Sequence, residues 1–304
     1  MWYTSYGAVA SFGSVPWGAD PSTAWVAPFQ NTLVIGGFEF HALVYEDDGT
    51  WTFGSLNFEE LAGGELAIPY WSFVQGITLT PSDYTGSVTV TASSALFSAS
   101  WVGDRIRYAG KELVVTGFTS TTEVTADVTV ELPPTFDITF AAASDLSGYT
   151  VGQVVTASET TWSGIITDIT GTVMTVVTLN REPSTNSPGG DTSSGSEFGG
   201  PSADEEIIGP NAAFSPTSIV RNPSPGGTQV WDEQLWSNRR GWPQSGAAVG
   251  NRLALCNFPR IPDLVTISSA RQFNDFGTGL SDDDAIVRQA GNNSARFLHV
   301  VPAL

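Results

Sequence analysis

Two stretches in the middle of the chain repeat one short pattern, and that pattern restricts the fold more than anything else in the sequence. The first runs WVGDRIR (residues 101–107), then residues 113–118, then residues 124–130. The second runs TVGQVVT (residues 150–156), then residues 164–169, then residues 173–179. Each copy is a Val-Gly bend, a strand, a polar turn and two alternating strands of about six residues. Gly103 and Gly152 are read as bends, because only glycine enters a left-handed backbone without steric cost. Strands this short cannot bury a face alone. Each copy is therefore expected to roll into a small closed or nearly closed β-barrel, which also removes exposed edges. Residues 77–91 alternate around the turn PSDYTG and read as a hairpin feeding the first copy.

Composition agrees with sheet. Of 304 residues, 41% are hydrophobic and only 14% charged, with 32 Gly and many Thr, Ser and Val. A chain of this length can hold two or three domains. The formal net charge is −19, from 31 acids against 12 bases. Residues 1–104 contain no Lys or Arg, whereas residues 221–304 hold eight Arg against seven acids. That distribution offers no basic stripe for gripping phosphates. An acidic wall would let DNA slide past without adhering; acidity as plain solubility for a β-protein is the competing explanation.

The remaining segments read as follows. Residues 1–30 form an aromatic arm with Trp2, Tyr3, Tyr6, Trp17 and Trp25, either an interface or part of a core. Residues 32–35 and 38–45 read as strands, EDDG (46–49) as a turn, and residues 50–53 as a return strand with Trp51 and Phe53 on one face. Residues 182–205 are Gly/Ser/Pro-rich and read as a linker or surface loop. Residues 251–256 and 264–268 are apolar runs separated by FPRIP. The expected division is an arm at 1–30, hairpins and a first small barrel at 31–135, a second barrel repeat at 136–181, the linker at 182–205, and a sheet domain at 206–304.

Candidate chemistry is sparse. The single Cys256 excludes an internal disulfide and a Cys-rich zinc site, and reads as a small buried residue. His41 sits mid-hairpin without ligand-spaced neighbours, and His299, between Leu298 and Val300, reads as packed. No nucleophile elbow, zinc-protease helix or phosphate loop is present. Glycosidase chemistry needs only two carboxylates, for which Asp232-Glu233 and Asp282-Asp283-Asp284 are the candidates. The Asp triplet lacks the alternating calcium-loop spacing. The expectation is no enzyme, with no catalytic, cofactor-binding or metal residue assigned and no cofactor. The N-terminus lacks a basic leader with an apolar run, and no stretch reaches the roughly 18 apolar residues of a membrane span.

The order of segments from 241 to 286 resembles the tail nozzle and tail-stabilisation proteins of short-tailed bacteriophages. The matching positions are Gly241-Trp242-Pro243-Gln244, Arg252-Leu253-Ala254-Leu255, Pro262 to Ser268, Phe273 to Phe276, and Asp282 to Ile286. Gln244 departs from the usual arginine, and Cys256-Asn257 from the usual glycines. The family is also similar in its acidic DG turn with a TW-x-F return, here Gly49 to Phe53. Its F-x-x-x-x-V-G-x-x-I-R segment matches Phe97 to Arg107, and its Thr-rich strand matches Thr116 to Val128. The matches cover roughly residues 32–132 and 241–286.

The resemblance implies an all-β protein with tandem small barrels and a propeller-like antiparallel sheet domain. It also implies a structural virion protein, made in the host cytoplasm and placed in the tail. By resemblance it is a homo-oligomeric ring, hexameric in the family, around the DNA exit channel. Its partners would be the head-to-tail adaptor, other tail proteins and fibres. A propeller closes with about four or more blades, so the sheet domain is expected to be incomplete in this chain or completed by a second polypeptide, with residues 297–301 as its next strand. A β-rich adhesin or carbohydrate-binding virion protein, and a hydrolase with a carboxylate pair, are the other classes the sequence allows.

Overall fold

A computed structural model describes residues 3–4, 7–8, 22, 24–61, 63–160, 162–179, 200–201, 205–278, 281–290 and 297–300. It is all-β, and every strand pair is antiparallel. The chain divides into two units, one made of residues 1–69 with 234–304 and the other of residues 70–233. This division differs from the expected boundaries at 30, 135, 182 and 205. The linker expected at 182–205 falls almost wholly outside the described residues.

The first segment contributes β1 (Tyr3–Thr4) and β2 (Gly7–Ala8), which pair with each other, and a meander of four strands. The meander is β3 (Trp25–Phe29), β4 (Thr32–Gly36), β5 (His41–Tyr45) and β6 (Trp51–Ser55). Its β5–β6 hairpin turns through Gly49 at φ +84°, where the sequence places the DG turn. Residues 25–29 are strand, not arm, because their alternate residues pair with β4 across a two-residue turn.

The second unit begins at β7 (Tyr70–Trp71), β8 (Leu79–Pro81) and β9 (Ser87–Ala92). The first repeat copy follows as β10 (Arg105–Tyr108), β11 (Lys111–Ser120) and β12 (Glu123–Val128). Then come β13 (Thr135–Thr139) and the second copy, β14 (Val154–Ala157), β15 (Ser163–Thr170) and β16 (Val173–Thr178). Four short strands end the segment: β17 (Ile207–Ile208), β18 (Ala213–Phe214), β19 (Ser218–Arg221) and, after a gap, β20 (Trp231–Gln234), with Thr228 forming a bridge of its own to Leu79.

The two copies are paired alike. One sheet runs β7-β20-β10-β11-β12-β9-β8 and the other β18-β17-β14-β15-β16-β13-β19. Gly103 and Gly152 adopt φ +92° and +88°, and each donates its N–H to the long strand, to Val115 O and Ile166 O, both at 2.8 Å. The register shifts just beyond, between Val115 and Gly117 in one copy and between Ile166 and Asp168 in the other. Such a bulge bends the strand and increases its twist.

Neither sheet can be flat. In the first, Leu79 of β8 and Thr228 exchange two backbone hydrogen bonds of 2.9 and 3.0 Å. Thr228 stands three residues before β20, yet β8 and β20 would lie roughly 24 Å apart in a flat sheet. In the second, the edge strands β18 and β19 are consecutive, joined by residues 215–217, which span at most about 15 Å. Both sheets therefore curl until their ends approach.

Each curled sheet encloses its own core. Val88, Val90, Trp101, Ile106, Tyr108, Leu113, Val115 and Val124 fill the first. Ile138, Phe140, Val155, Ile166, Met174 and Val176 fill the second. Val177, on the opposite face of β16 from Val176, packs into the first core. Polar groups join the two at one seam. The Tyr84 hydroxyl accepts from Thr135 N at 3.2 Å and donates to Asn222 O at 3.0 Å, and Gly226 N donates to Thr135 Oγ1 at 2.7 Å.

The last segment adds a second meander, β21 (Ser245–Val249), β22 (Arg252–Cys256), β23 (Leu264–Ile267) and β24 (Ile286–Gln289). Residues 297–300 are not strand, in contrast to the expectation. They make isolated hydrogen bonds, Phe297 N to Pro262 O at 2.8 Å and Val300 N to Ser245 Oγ at 3.1 Å. The two meanders share a unit through aromatic packing. Trp236 stands among Phe40, Phe58, Phe258 and Phe276, with ring centroids 5.3–6.1 Å away. Trp25 lies over Gly36 and Gly246, where an added Cβ would come within 2.2 and 2.4 Å of its ring, and its indole N–H donates to Pro243 O at 2.9 Å. Trp25 is thus a packing residue. Trp2, Tyr6 and Trp17 lie outside the described residues, as does the side chain of Tyr3.

Trp236 is 2% exposed. Truncation to alanine would leave a cavity among four aromatic rings and cost about 3–5 kcal/mol. Trp236→Ala is expected to lower the urea midpoint of the unit formed by the two meanders; an unchanged midpoint would show that this cluster does not hold them together.

Candidate functional site

The carboxylates that a hydrolase would need do not converge. Asp232 and Glu233 are neighbours on β20, and successive strand residues face opposite ways. Asp232 points outward and accepts from Arg107 Nε and Nη2, at 2.9 and 2.7 Å. Glu233 lies opposite Ile106 and is fully buried. The Asp282-Asp283-Asp284 segment is a wired turn. The Arg252 guanidinium donates to the backbone oxygens of Asp282, Asp284 and Ser268 at 2.7, 2.8 and 3.0 Å. Asp284 Oδ2 accepts from Ser281 N at 2.7 Å. Among the described residues no group of three or more His, Cys, Asp or Glu is placed to hold a metal ion.

The other singled-out residues are structural or exposed. His41 Nδ1 lies 2.8 Å from Glu39 O, and the ring stacks on Phe53 with centroids 5.3 Å apart. His299 is exposed, not packed, because residues 297–300 join no ladder. Cys256 is fully buried on β22, and burial pushes its thiol up. Ser268, also fully buried, accepts from Leu253 N at 2.8 Å and so fixes the strand ending that the sequence marks.

Two places carry unusual chemistry that sequence reasoning missed. The first is a charged network on the outer face of the first curled sheet. Glu112 is fully buried there and accepts from Tyr70 Oη, Arg105 Nη1 and, at 3.0 Å, Thr129 Oγ1. The Arg107 guanidinium lies 4.1 Å over the Tyr70 ring. Three hydrogen bonds on one carboxylate offset its desolvation. A cavity of about 260 Å³ opens beside Arg107, Ser72 and Gly110. The R-x-R alternation of β10 facing Glu112 across the Ala109-Gly110 turn was the available signal.

The second is a cavity of about 530 Å³ between hairpin tips of the two-meander unit. The β3–β4 turn supplies Gln30 and Asn31, the β21–β22 turn supplies Asn251, and the loop after β23 supplies Arg271 and Phe273. Phe29 and Phe273 stack along one wall, centroids 5.2 Å apart and 28° from parallel. Gln30, Asn251 and Arg271 adopt φ of +45°, +63° and +66°. Left-handed backbone at such residues costs about 1–2 kcal/mol each. No sequence signal marks this convergence, because it assembles residues more than 200 positions apart.

The tyrosines give a testable consequence. Burial first, then the Glu112 charge, hold the Tyr70 phenol well above its ordinary value, and burial raises Tyr108 and Tyr149 as well. A group whose folded pKa is raised stabilises fully below its unfolded pKa, and that stability is lost as pH rises. Stability is therefore expected to fall from about pH 10 upward, and Tyr70→Phe to reduce the slope; a flat profile up to pH 12, by fluorescence-detected denaturation, would contradict this. A scan against protein-family models finds no match for this chain, and a search of curated proteins finds no matching relative.

Proposed function

We propose that the chain is a structural protein of a bacteriophage tail, a nozzle or tail-tube component that assembles as a homo-oligomeric ring around the DNA exit channel. In this reading it docks to the head-to-tail adaptor and carries fibres or other tail proteins outside. The observation that carries it is where the family-like segments fall. Residues 32–53 and 241–286, far apart in sequence, supply three strands each to two four-stranded meanders gathered about Trp236 in one unit. Four-stranded meanders are the shape of propeller blades.

Further support comes from the repeat. The two curled sheets occupy the positions where the resemblance implies tandem small barrels. Curling suits a building module, since it leaves little free edge for unwanted pairing. The net charge of −19 suits a channel past which a polyanion must slide. A ring of six copies is the number the resemblance implies.

A carbohydrate-binding virion protein is the second reading, favoured by the stacked Phe29–Phe273 wall. Assembly separates the two. Negative-stain microscopy and native mass measurement of the purified protein, with mass spectrometry of purified virions, are expected to show a ring of constant copy number and a stoichiometric virion band. A protein that stays monomeric at micromolar concentration and is absent from particles would overturn the tail-ring reading.

A further inference from the structure

The cavity at the hairpin tips holds a cation, neutral amides and an aromatic wall in one place. Arg271 is exposed, and no carboxylate among the described residues pairs with it. Its backbone N–H donates to Asn251 O at 2.9 Å, which ties two sides of the cavity together. Asn31 is committed to the turn: Nδ2 donates to Tyr45 O at 2.9 Å, and Oδ1 accepts from the Thr32 hydroxyl at 3.3 Å. The side-chain amides of Gln30 and Asn251 make no hydrogen bond among the described residues and stand at the rim.

Each group selects part of a ligand. The rings of Phe29 and Phe273, both in the lining, offer apolar surface that suits the C–H face of a pyranose ring. Paired amides donate to and accept from vicinal hydroxyls. A guanidinium binds a carboxylate through two parallel hydrogen bonds. The volume of about 530 Å³ falls within the range of small-ligand sites. A single cation in the lining does not suit a nucleic-acid backbone, whose binding rests on many phosphate contacts.

We propose that this cavity is a saccharide site selective for a pyranose that carries a carboxylate, of the uronic or sialic acid class. Arg271 takes the carboxylate, Gln30 and Asn251 take hydroxyls, and Phe29 with Phe273 take the ring face. The site is independent of ring assembly, since every group in it comes from one copy of the chain. Gln30 stands first in a two-residue hairpin turn, a place that favours glycine. Its side chain therefore serves the cavity at the expense of the turn.

Ligand-observed NMR titration of the full chain tests this with glucuronate and N-acetylneuraminate. Glucose and N-acetylglucosamine serve as neutral probes, and acetate and tri-alanine as carboxylates without a pyranose. At least one acidic sugar is expected to bind tenfold or more tightly than every other probe. Arg271→Gln is expected to weaken it at least tenfold with unchanged circular dichroism. Gln30→Gly is expected to weaken it several-fold while leaving the thermal midpoint unchanged or raised, which separates lost contact from lost folding. The proposal is overturned if neither acidic sugar binds, if neutral sugars bind as well, if Arg271→Gln has no effect, or if acetate or tri-alanine matches the sugars. None of these outcomes bears on whether a ring forms.

Discussion

Residues 205–233 complete both curled sheets, and the second unit depends on that completion. Without them the first copy would sit in a five-stranded sheet, β10-β11-β12-β9-β8, and the second in a four-stranded one, β14-β15-β16-β13, each with bare edges. The returning chain lays β17 against β14 and β19 against β13, then reaches Thr228 to bond Leu79, then lays β20 against β10. One stretch thus supplies edge strands to both sheets. Four or five short strands could not bury a closed core alone, and the added pairs bring the ends of each sheet together.

The seam shows how the two copies are held as one unit. Tyr84, Thr135, Asn222 and Gly226 link by hydrogen bonds, and the Arg221 guanidinium lies 4.7 Å over the Tyr84 ring while bonding Glu131 at 2.8 Å. Asn222, Gly226 and Arg221 all belong to the returning stretch. Buried phenols and threonines joined this way specify one arrangement, because a slipped pairing would strand their hydrogen-bonding groups. Apolar contacts such as Val177 against the first core add adhesion with less directional demand.

Much of this was legible locally. The repeat, its bends at Gly103 and Gly152, the DG turn at Gly49 and the strands around Cys256 all follow from periodicity and turn chemistry. The closing strands were not. β17 and β18 have two residues each, and they lie in a Pro/Asn-rich stretch that reads as an approach to the next domain. β17 takes its strand character from β14, about 50 residues earlier, and β18 only from β17, so nothing local announces either. For the same reason residues 206–233 were expected in the wrong neighbourhood. Glu112 was hidden similarly, since its burial depends on Tyr70 and Thr129 arriving from elsewhere. His299 erred in the other direction, because apolar neighbours suggest packing only where a sheet exists to receive them.

Backbone strain separates turns that merely reverse the chain from turns that present something. Gly103 and Gly152 meet open space at the Cβ position, so they are chosen for φ alone. Ala109, at φ +46°, sits in a two-residue hairpin with Gly110 and is buried; its small side chain limits the cost of the left-handed turn. Gln30, Asn251 and Arg271 differ. They are longer, polar and exposed, and three of the five left-handed residues other than glycine among the described residues meet at one cavity. Glycine would relieve each of them at the loss of a polar side chain from the cavity lining. Coincidence at one turn is ordinary, since Asn tolerates this conformation well; convergence of a cation and two amides beside a stacked aromatic wall is what the turns alone do not require.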